Sequence, residues 1–173
     1  EVVHILLREA GITQILVPAN FPFGHALKFQ SLGYQLFPKR DPFYEQRVVK
    51  TAEEVSYIEA AQRATEQAVA VAHDLLRQAS INKDQLWFDG IPLTSERVKK
   101  LINVTLMERD CVAQHTIVAG GEQACDPHNE GSGPLPAHRS IIFDVFPRSA
   151  TNRYFADMSR TVVRGIPSPE LKR

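Results

Sequence analysis

A long amphipathic helix is the sequence feature that most constrains the fold. Thr51 and Glu54 form a capping-box pattern, in which the threonine caps a helix and the glutamate reaches back to its amide. Apolar residues then recur at helical spacing as far as residue 78. A helix of about 26 residues is about 39 Å long at about 1.5 Å per residue, a length that suits packing across a broad sheet.

The pattern on either side of this helix predicts two domains. Residues 1–40 alternate between short helical and β patterns, which favours a small α/β unit with parallel strands. Residues 38–50 contain two prolines and six charged residues, a composition typical of a linker. We therefore predict a boundary near Arg47, with the end of one domain over residues 1–46 and a second domain over residues 47–173.

The second domain is predicted to be α+β. A further helix starts at Thr94, and β patterns follow at residues 116–119, 140–146 and 153–163. The last two β patterns are joined by turn-forming residues and indicate an antiparallel hairpin. Because the chain begins at Glu1 inside a helical pattern, we expect it to be a piece of a longer protein.

Composition excludes some classes of partner. The 173 residues include 20 Lys and Arg against 20 Asp and Glu, so a zero net charge argues against binding to nucleic acid or to a membrane surface. No apolar run reaches the roughly 18 residues that cross a bilayer, and no leader pattern is evident. The two cysteines lack CxxC spacing, so we expect a reducing environment and a cytoplasmic protein.

Two aspartates in the predicted hairpin are the strongest candidates for chemistry. Asp144 lies on the face opposite Phe143 and Val145, and a turn centred near residues 150–151 would put Asp157 directly across from it. Facing like charges are destabilising. A shared proton, an arginine of the hairpin or a bound cation would relieve the repulsion, and two carboxylates can hold a pair of divalent ions. An incidental pair in a solvated sheet remains the alternative.

His128 is the second candidate, because it lies in the turn-like segment Asp-Pro-His-Asn-Glu-Gly, where a side chain is easily presented to a cleft. A neutral imidazole there could hydrogen-bond a substrate or move a proton. The alternative is a loop histidine without a role, as for His115 and His138. Cys125 is predicted to be a small packing residue.

Three segments in order resemble the pita-bread metallopeptidases, and more closely their Xaa-Pro aminopeptidase and prolidase branch. They are R-x-x-K-T-x-x-E at 47–54, IVAGGEQACDPHNEGSGPL at 117–135 and FDVFPRSATNRYFADMSRT at 143–161. The resemblance implies an α+β pita-bread catalytic domain that is incomplete at its C-terminus. Residues 1–46 would then be the end of a creatinase-like N-terminal α/β domain and its linker.

The resemblance also implies roles for the candidate residues. Asp144 would be a ligand of one metal ion, Asp157 would bridge two ions, and His128 would hydrogen-bond the substrate. The substrate would be a peptide with proline at its second position, cleaved before that proline. Two divalent ions are implied, with Mn²⁺ favoured by the carboxylate ligands and Zn²⁺, Co²⁺ or Fe²⁺ open. We further expect a homo-oligomer, without nucleic acid or membrane partners.

The sequence departs from the family pattern in the hairpin. Phe146 and Arg153 stand where the family usually has glycine, and the two aspartates are thirteen residues apart rather than eleven. The family completes its metal site with a histidine and two glutamates further along, and no residue after Asp157 matches them. We therefore expect this chain alone to be inactive, with no stable dinuclear site.

Two other function classes stay open at this point. One is a metal-free hydrolase of the creatinase type, and the other is a non-catalytic peptide-binding module of the same fold. The presence of both Asp144 and Asp157 favours the metallopeptidase, because neither alternative needs two carboxylates on one face.

Overall fold

The computed structural model describes residues 1–172. The chain forms two compact units, the first over Glu1–Thr51 and the second beginning at Ala52. None of the helices among the described residues is both long and apolar enough to cross a bilayer.

The first unit is a small α/β arrangement. Its elements are α1 (Val2–Glu9), β1 (Gln14–Pro18), α2 (Phe23–Ser31) and β2 (Gln35–Lys39), followed by a short 3₁₀ turn at Glu45–Arg47. Strands β1 and β2 pair in parallel, with Gln14 opposite Gln35. The predicted alternation of helix and parallel strand is therefore confirmed.

Two helices form the scaffold of the second unit. The long helix α3 spans Ala52–Gln78, which confirms the helix predicted to residue 78, and α4 spans Ser95–Met107. Thr94 caps α4, since its side-chain oxygen accepts a hydrogen bond from the backbone N–H of Arg97 at 3.4 Å. The two helices pack against each other and against the central sheet.

A short three-stranded meander joins the two helices. It consists of β3 (Ser80–Asn82), β4 (Gln85–Phe88) and β5 (Ile91–Pro92). No strand was predicted for these residues. The sequence signal for this hairpin is the Asp89-Gly90 pair, because Asp-Gly is favoured in two-residue hairpin turns. Both residues have the positive φ that such a turn requires, at 55° and 75°.

The central sheet carries the candidate hairpin. Strands β7 (Ile117–Gly120), β8 (Ile141–Val145) and β10 (Met158–Val162) pair antiparallel in the order β10-β8-β7. Two short strands, β6 (Cys111–Val112) and β9 (Arg148–Ser149), also pair antiparallel. Strand β10 begins later than the predicted strand, which started at residue 153.

One face of this sheet forms the core with α3 and α4. The buried stripe of α3 consists mainly of small residues, which are Ala61, Ala64, Thr65, Ala68, Val69, Ala72 and Leu76. Phe143, at the centre of β8, has no exposed surface, and its ring lies 5.8 Å from that of His73 on α3. Small helix residues let the sheet approach closely, and the interior packs at the density of a crystal.

The hairpin register differs from the prediction. Asp144 lies opposite Ser159, not opposite Asp157, because the turn is centred between residues 151 and 152 rather than between 150 and 151. The side chain of Asn152 accepts the backbone N–H of Tyr154 at 3.1 Å, and Arg153 takes a left-handed conformation with φ 70°. This turn shifts the pairing by two residues, and an even shift leaves both aspartates on the same face.

We predict that Arg153→Gly stabilises the protein. A left-handed conformation costs a residue with a Cβ about 1–2 kcal/mol, and the extra chain entropy of glycine offsets about 0.5–1 kcal/mol of that gain. The free energy of unfolding in urea should therefore rise by about 0.5–1 kcal/mol. Arg153→Ala is the matched control, because it removes the exposed guanidinium but keeps the strained backbone, and it should leave stability within about 0.5 kcal/mol. Equal stabilisation by both variants would contradict the backbone explanation.

Candidate active site

The face of the hairpin turned away from the core carries both aspartates, and we call it the carboxylate face. Burial alternates along the strands as predicted: Val145, Pro147, Ala156 and Met158 are buried. Asp144 is half-buried and Asp157 is exposed.

Three successive rows of residues cross the carboxylate face. Strand pairing places Asp144 between Ile117 and Ser159 in the first row. Arg148 lies between Val112 and Phe155 in the third row. Both rows follow the same hairpin register, so the row between them pairs Phe146 with Asp157. The two aspartates are thus diagonal neighbours rather than a facing pair.

The two carboxylates have few partners. Ser159 Oγ donates a hydrogen bond to Asp144 Oδ1 at 2.5 Å. Among residues 1–172, neither Asp144 nor Asp157 forms an ion pair, so the proposed arginine partner is not seen. Arg148 instead lies over the ring of Phe155, and Arg160 donates to the carbonyl of Ser159 at 2.7 Å.

This donor set suits a divalent cation in chemical type. Carboxylate oxygens are the ligands that hard cations such as Mn²⁺ and Mg²⁺ favour, and the two aspartates leave lone pairs directed away from the core. Within the described part of the chain, no group of three or more His, Cys, Asp or Glu side chains is placed to hold a metal ion. Asp144 and Asp157 therefore fit part of a metal site, and further ligands are needed to complete one.

A cavity of about 240 Å³ opens beside the first row. Asp144 and Ser159 form one wall, and Asp126 and Pro127 form another. The other lining residues are Ile117, Ala119, Ala124, Cys125 and Ile142. Cys125 is exposed, so its predicted role as a packing residue is wrong. It is the last residue of a 3₁₀ turn, Gly121–Cys125, that contributes no buried residue.

The segment that carries His128 is built by two turns. Asp126 Oδ1 accepts the backbone N–H of His128 at 2.9 Å, and Asn129 Oδ1 accepts that of Gly131 at 2.9 Å. His128 itself is exposed, directly after the cavity-lining Asp126 and Pro127. No hydrogen bond joins it to Asp144 or Asp157 among the described residues.

A bulge in the sheet anchors the same segment. Residues 113–116 lie opposite residues 145–147, so the strand before β7 has one extra residue, and His115 takes φ 60° there. The bulge directs His115 toward Glu130, and their Nδ1 and Oε1 atoms are 2.7 Å apart. The carbonyl of Glu130 accepts the backbone N–H of Val118 at 3.0 Å. His115 thus has a structural contact that its sequence context did not indicate.

The end of this segment is fixed to α4. The backbone N–H of Gly133 donates to Glu96 Oε1 at 3.0 Å, and this hydrogen bond holds the pKa of Glu96 below its usual range. A lowered carboxyl pKa contributes stability above the pKa of the unfolded chain. That contribution is lost as the pH falls through the lower folded pKa.

His138 and Cys111 have contacts or burial that indicate a role in stability rather than in chemistry. His138 Nδ1 accepts the backbone N–H of Ile166 at 2.9 Å, so this ring fastens the segment after β10. Cys111 is buried, and burial raises the pKa of its thiol, which keeps it protonated and unreactive. Ser159 was not singled out from the sequence, although its place two residues after Asp157 puts it on the carboxylate face.

The family model described as metallopeptidase family M24 matches residues 56–173. The chain therefore belongs to metallopeptidase family M24, which confirms the resemblance to the pita-bread metallopeptidases. No curated protein matches the chain significantly.

Solved structures share the fold. The X-Pro aminopeptidase of Thermotoga maritima is similar with a TM-score of 0.78 and 22% identity, over 99% of this chain and 46% of that one. The prolidase of Pyrococcus furiosus is similar with a TM-score of 0.75 and 19% identity, over 93% of this chain and 44% of that one. The Xaa-Pro dipeptidase of Bacillus anthracis has a TM-score of 0.77 and 16% identity, over 98% and 45% of the two chains. The chain thus spans less than half the length of these proteins.

We predict that Gly131→Ala displaces the segment that carries His128. Gly131 has φ 78°, and a Cβ there would lie 1.8 Å from the carbonyl oxygen of Val118, so the backbone must move. The expected loss in free energy of unfolding is about 2–4 kcal/mol, measured in urea. Gly133→Ala is the matched control, because Gly133 has φ 72° but nothing within 4 Å of the added carbon. Its loss should be only about 1 kcal/mol, and similar losses for both variants would contradict the close approach.

Proposed function

We propose that the whole protein is a dinuclear metallopeptidase that hydrolyses the Xaa-Pro bond at the N-terminus of peptides. The observation that carries this proposal is the pair of aspartates on one face of an M24 hairpin, neither of which forms an ion pair with any of residues 1–172. The similarity to solved structures of an X-Pro aminopeptidase and a prolidase supports the choice of substrate.

Each candidate residue has a proposed task. Asp144 would bind one cation and Asp157 would bridge two, with the Ser159 hydroxyl orienting the Asp144 carboxylate through Oδ1. Bound divalent ions, with Mn²⁺ favoured, supply Lewis-acid activation of water and of the peptide carbonyl. The remaining ligands would come from parts of the whole protein that this chain does not include. His128 would hydrogen-bond the substrate and the oxygen that gains charge.

The compartment, the association state and the domain organisation of the whole protein are also proposals. Cys111 and Cys125 are both free thiols, which supports a reducing compartment such as the cytoplasm. Strand β10 is at the edge of its sheet in the described part of the chain, which supports association with another chain. The first unit would be the end of an N-terminal domain.

We expect Asp157→Asn to abolish metal-dependent hydrolysis by the whole protein. A neutral amide removes the anionic charge that both cations need, so metal affinity should fall together with the rate of Ala-Pro cleavage. Mn²⁺ titration calorimetry measures the affinity without relying on activity. Asp74→Asn is the control, because Asp74 is an exposed α3 residue that forms an ion pair with Arg77 at 3.6 Å, away from the hairpin strands. Cleavage at the parental rate with metal bound would show that Asp157 is not a ligand.

We expect His128→Ala to lower kcat by about 10²–10⁴-fold, the range for a group that acts in proton transfer. Metal content should stay unchanged, because the exposed imidazole contacts neither aspartate. Steady-state kinetics on Ala-Pro and elemental analysis of the purified protein measure the two quantities. His25→Ala, at an exposed position of the first unit, serves as the control. If the metal is lost with the imidazole, His128 is a ligand instead.

A further inference from the structure

The segment that presents His128 is closed at its neck by Gln123 and Ser132, and we call residues 123–132 the His128 loop. The side-chain nitrogen of Gln123 donates to the carbonyl of Ser132 at 3.1 Å, and Gln123 Oε1 accepts the backbone N–H of the same serine at 3.1 Å. The Ser132 hydroxyl lies 3.4 Å from that side-chain nitrogen. Two residues nine positions apart in the chain are therefore joined by a closed pair of hydrogen bonds.

This pair of hydrogen bonds has the pattern of a β-sheet. In an antiparallel sheet, two opposite residues exchange both of their N–H···O bonds. A glutamine side chain carries the same two groups as a peptide unit, an N–H donor and a carbonyl acceptor. Gln123 thus pairs with the backbone of Ser132 as a neighbouring strand would, although its own backbone belongs to a 3₁₀ turn.

The C-terminal side of the neck is fixed to α4. Glu96 Oε1 accepts the backbone N–H of Gly133 at 3.0 Å, and Lys99 Nζ donates to the carbonyl of Gly131 at 2.9 Å. Ser132 lies between these two glycines. The partner of the glutamine is therefore held in place by a helix that packs in the core.

The N-terminal side of the loop, residues 124–128, has only local hydrogen bonds in the described part of the chain. The backbone N–H of Asp126 donates to the carbonyl of Gln123 at 3.3 Å, and that of His128 donates to Asp126 Oδ1 at 2.9 Å. His128 is exposed, so little packing holds its ring. The pair at the neck therefore links this mobile-ended half of the loop to the half that is fixed on α4.

We propose that Gln123 is a positioning residue, which holds His128 in place for catalysis by closing the neck of the His128 loop against Ser132. This inference rests on the proposed function, because it takes His128 to hydrogen-bond the substrate. Gln123 does not line the cavity beside Asp144, so it acts through the loop. A displacement of about 1 Å in a catalytic site can lower a rate by about 100-fold, so the hydrogen bonds of the neck matter for the rate.

The kinetic test uses Gln123→Met, which keeps the length of the side chain and removes both hydrogen bonds. In the whole protein we expect it to lower kcat for Ala-Pro by about 10- to 100-fold, with KM and metal content close to the parental values. Glu122→Met is the matched control, because it places the same side chain at the exposed neighbouring position, and it should keep the parental kcat. Parental kcat in Gln123→Met would overturn the inference.

A double-mutant cycle with His128→Ala separates positioning of the imidazole from general damage to the site. If Gln123 acts through His128, Gln123→Met should change kcat by less than about twofold once the imidazole is absent. This result would support the inference. An equal loss of kcat with and without His128 would overturn it, because Gln123 would then act on another part of the site.

Hydrogen exchange of the backbone amides tests the neck without relying on activity. In the whole protein, Gln123→Met should increase deuterium uptake by peptides within residues 124–132, while α4 keeps its parental uptake, because the loop opens locally. Gln123→Glu should have the same effect, since an ionised carboxylate cannot donate to the Ser132 carbonyl. Glu122→Met should leave the exchange unchanged.

The exchange measurement also separates this inference from the proposed function. Increased exchange that is confined to the His128 loop supports the inference even if no Xaa-Pro peptide is cleaved. Unchanged exchange in both Gln123 variants, or an increase that extends to α4, overturns it even if cleavage occurs.

Discussion

Close packing of the central sheet against α3 is the constraint on which the rest of the second unit depends. The alanine-rich stripe of that helix lets β8 approach so closely that Phe143 has no exposed surface. Once Phe143 and Val145 are held in the core, strand geometry turns Asp144 outward, and Met158 does the same for Asp157. The carboxylate face is therefore produced by hydrophobic packing on the other side of the sheet, not by attraction between polar groups.

The loop that carries His128 is held by backbone contacts rather than by burial. The carbonyl of Glu130 pairs with Val118, and the close approach of Gly131 to the same residue excludes any side chain. The bulge at His115 adds a side-chain contact to this loop at the point where the sheet loses regular pairing. A candidate catalytic histidine can thus be exposed and still well positioned, because the turn that follows it is fixed to a rigid strand.

The sequence was sufficient to predict which face of the hairpin carries the aspartates, but not which residues pair across it. Alternation of apolar residues around Phe143 predicts which face carries the aspartates, since a one-residue slip would bury them. A shift of two residues keeps every apolar residue on the same face, so the apolar pattern cannot distinguish the two registers. The turn sets the register, through the left-handed conformation of Arg153 and the hydrogen bond of the Asn152 side chain. The cavity beside Asp144 was beyond prediction, because it joins residues from segments far apart in the chain.

The observed register shows where the departure from the family pattern at Phe146 lies relative to the aspartates. Phe146, which stands in place of a glycine, lies opposite Asp157 and lines a cavity of about 170 Å³ together with Arg148 and Phe155. A glycine has no side chain and would leave that wall of the cavity open. The aromatic ring therefore adds apolar surface beside Asp157 and adds no charge there. The residue that departs from the metal-site pattern thus changes what surrounds the candidate ligand and leaves the carboxylate itself unaltered.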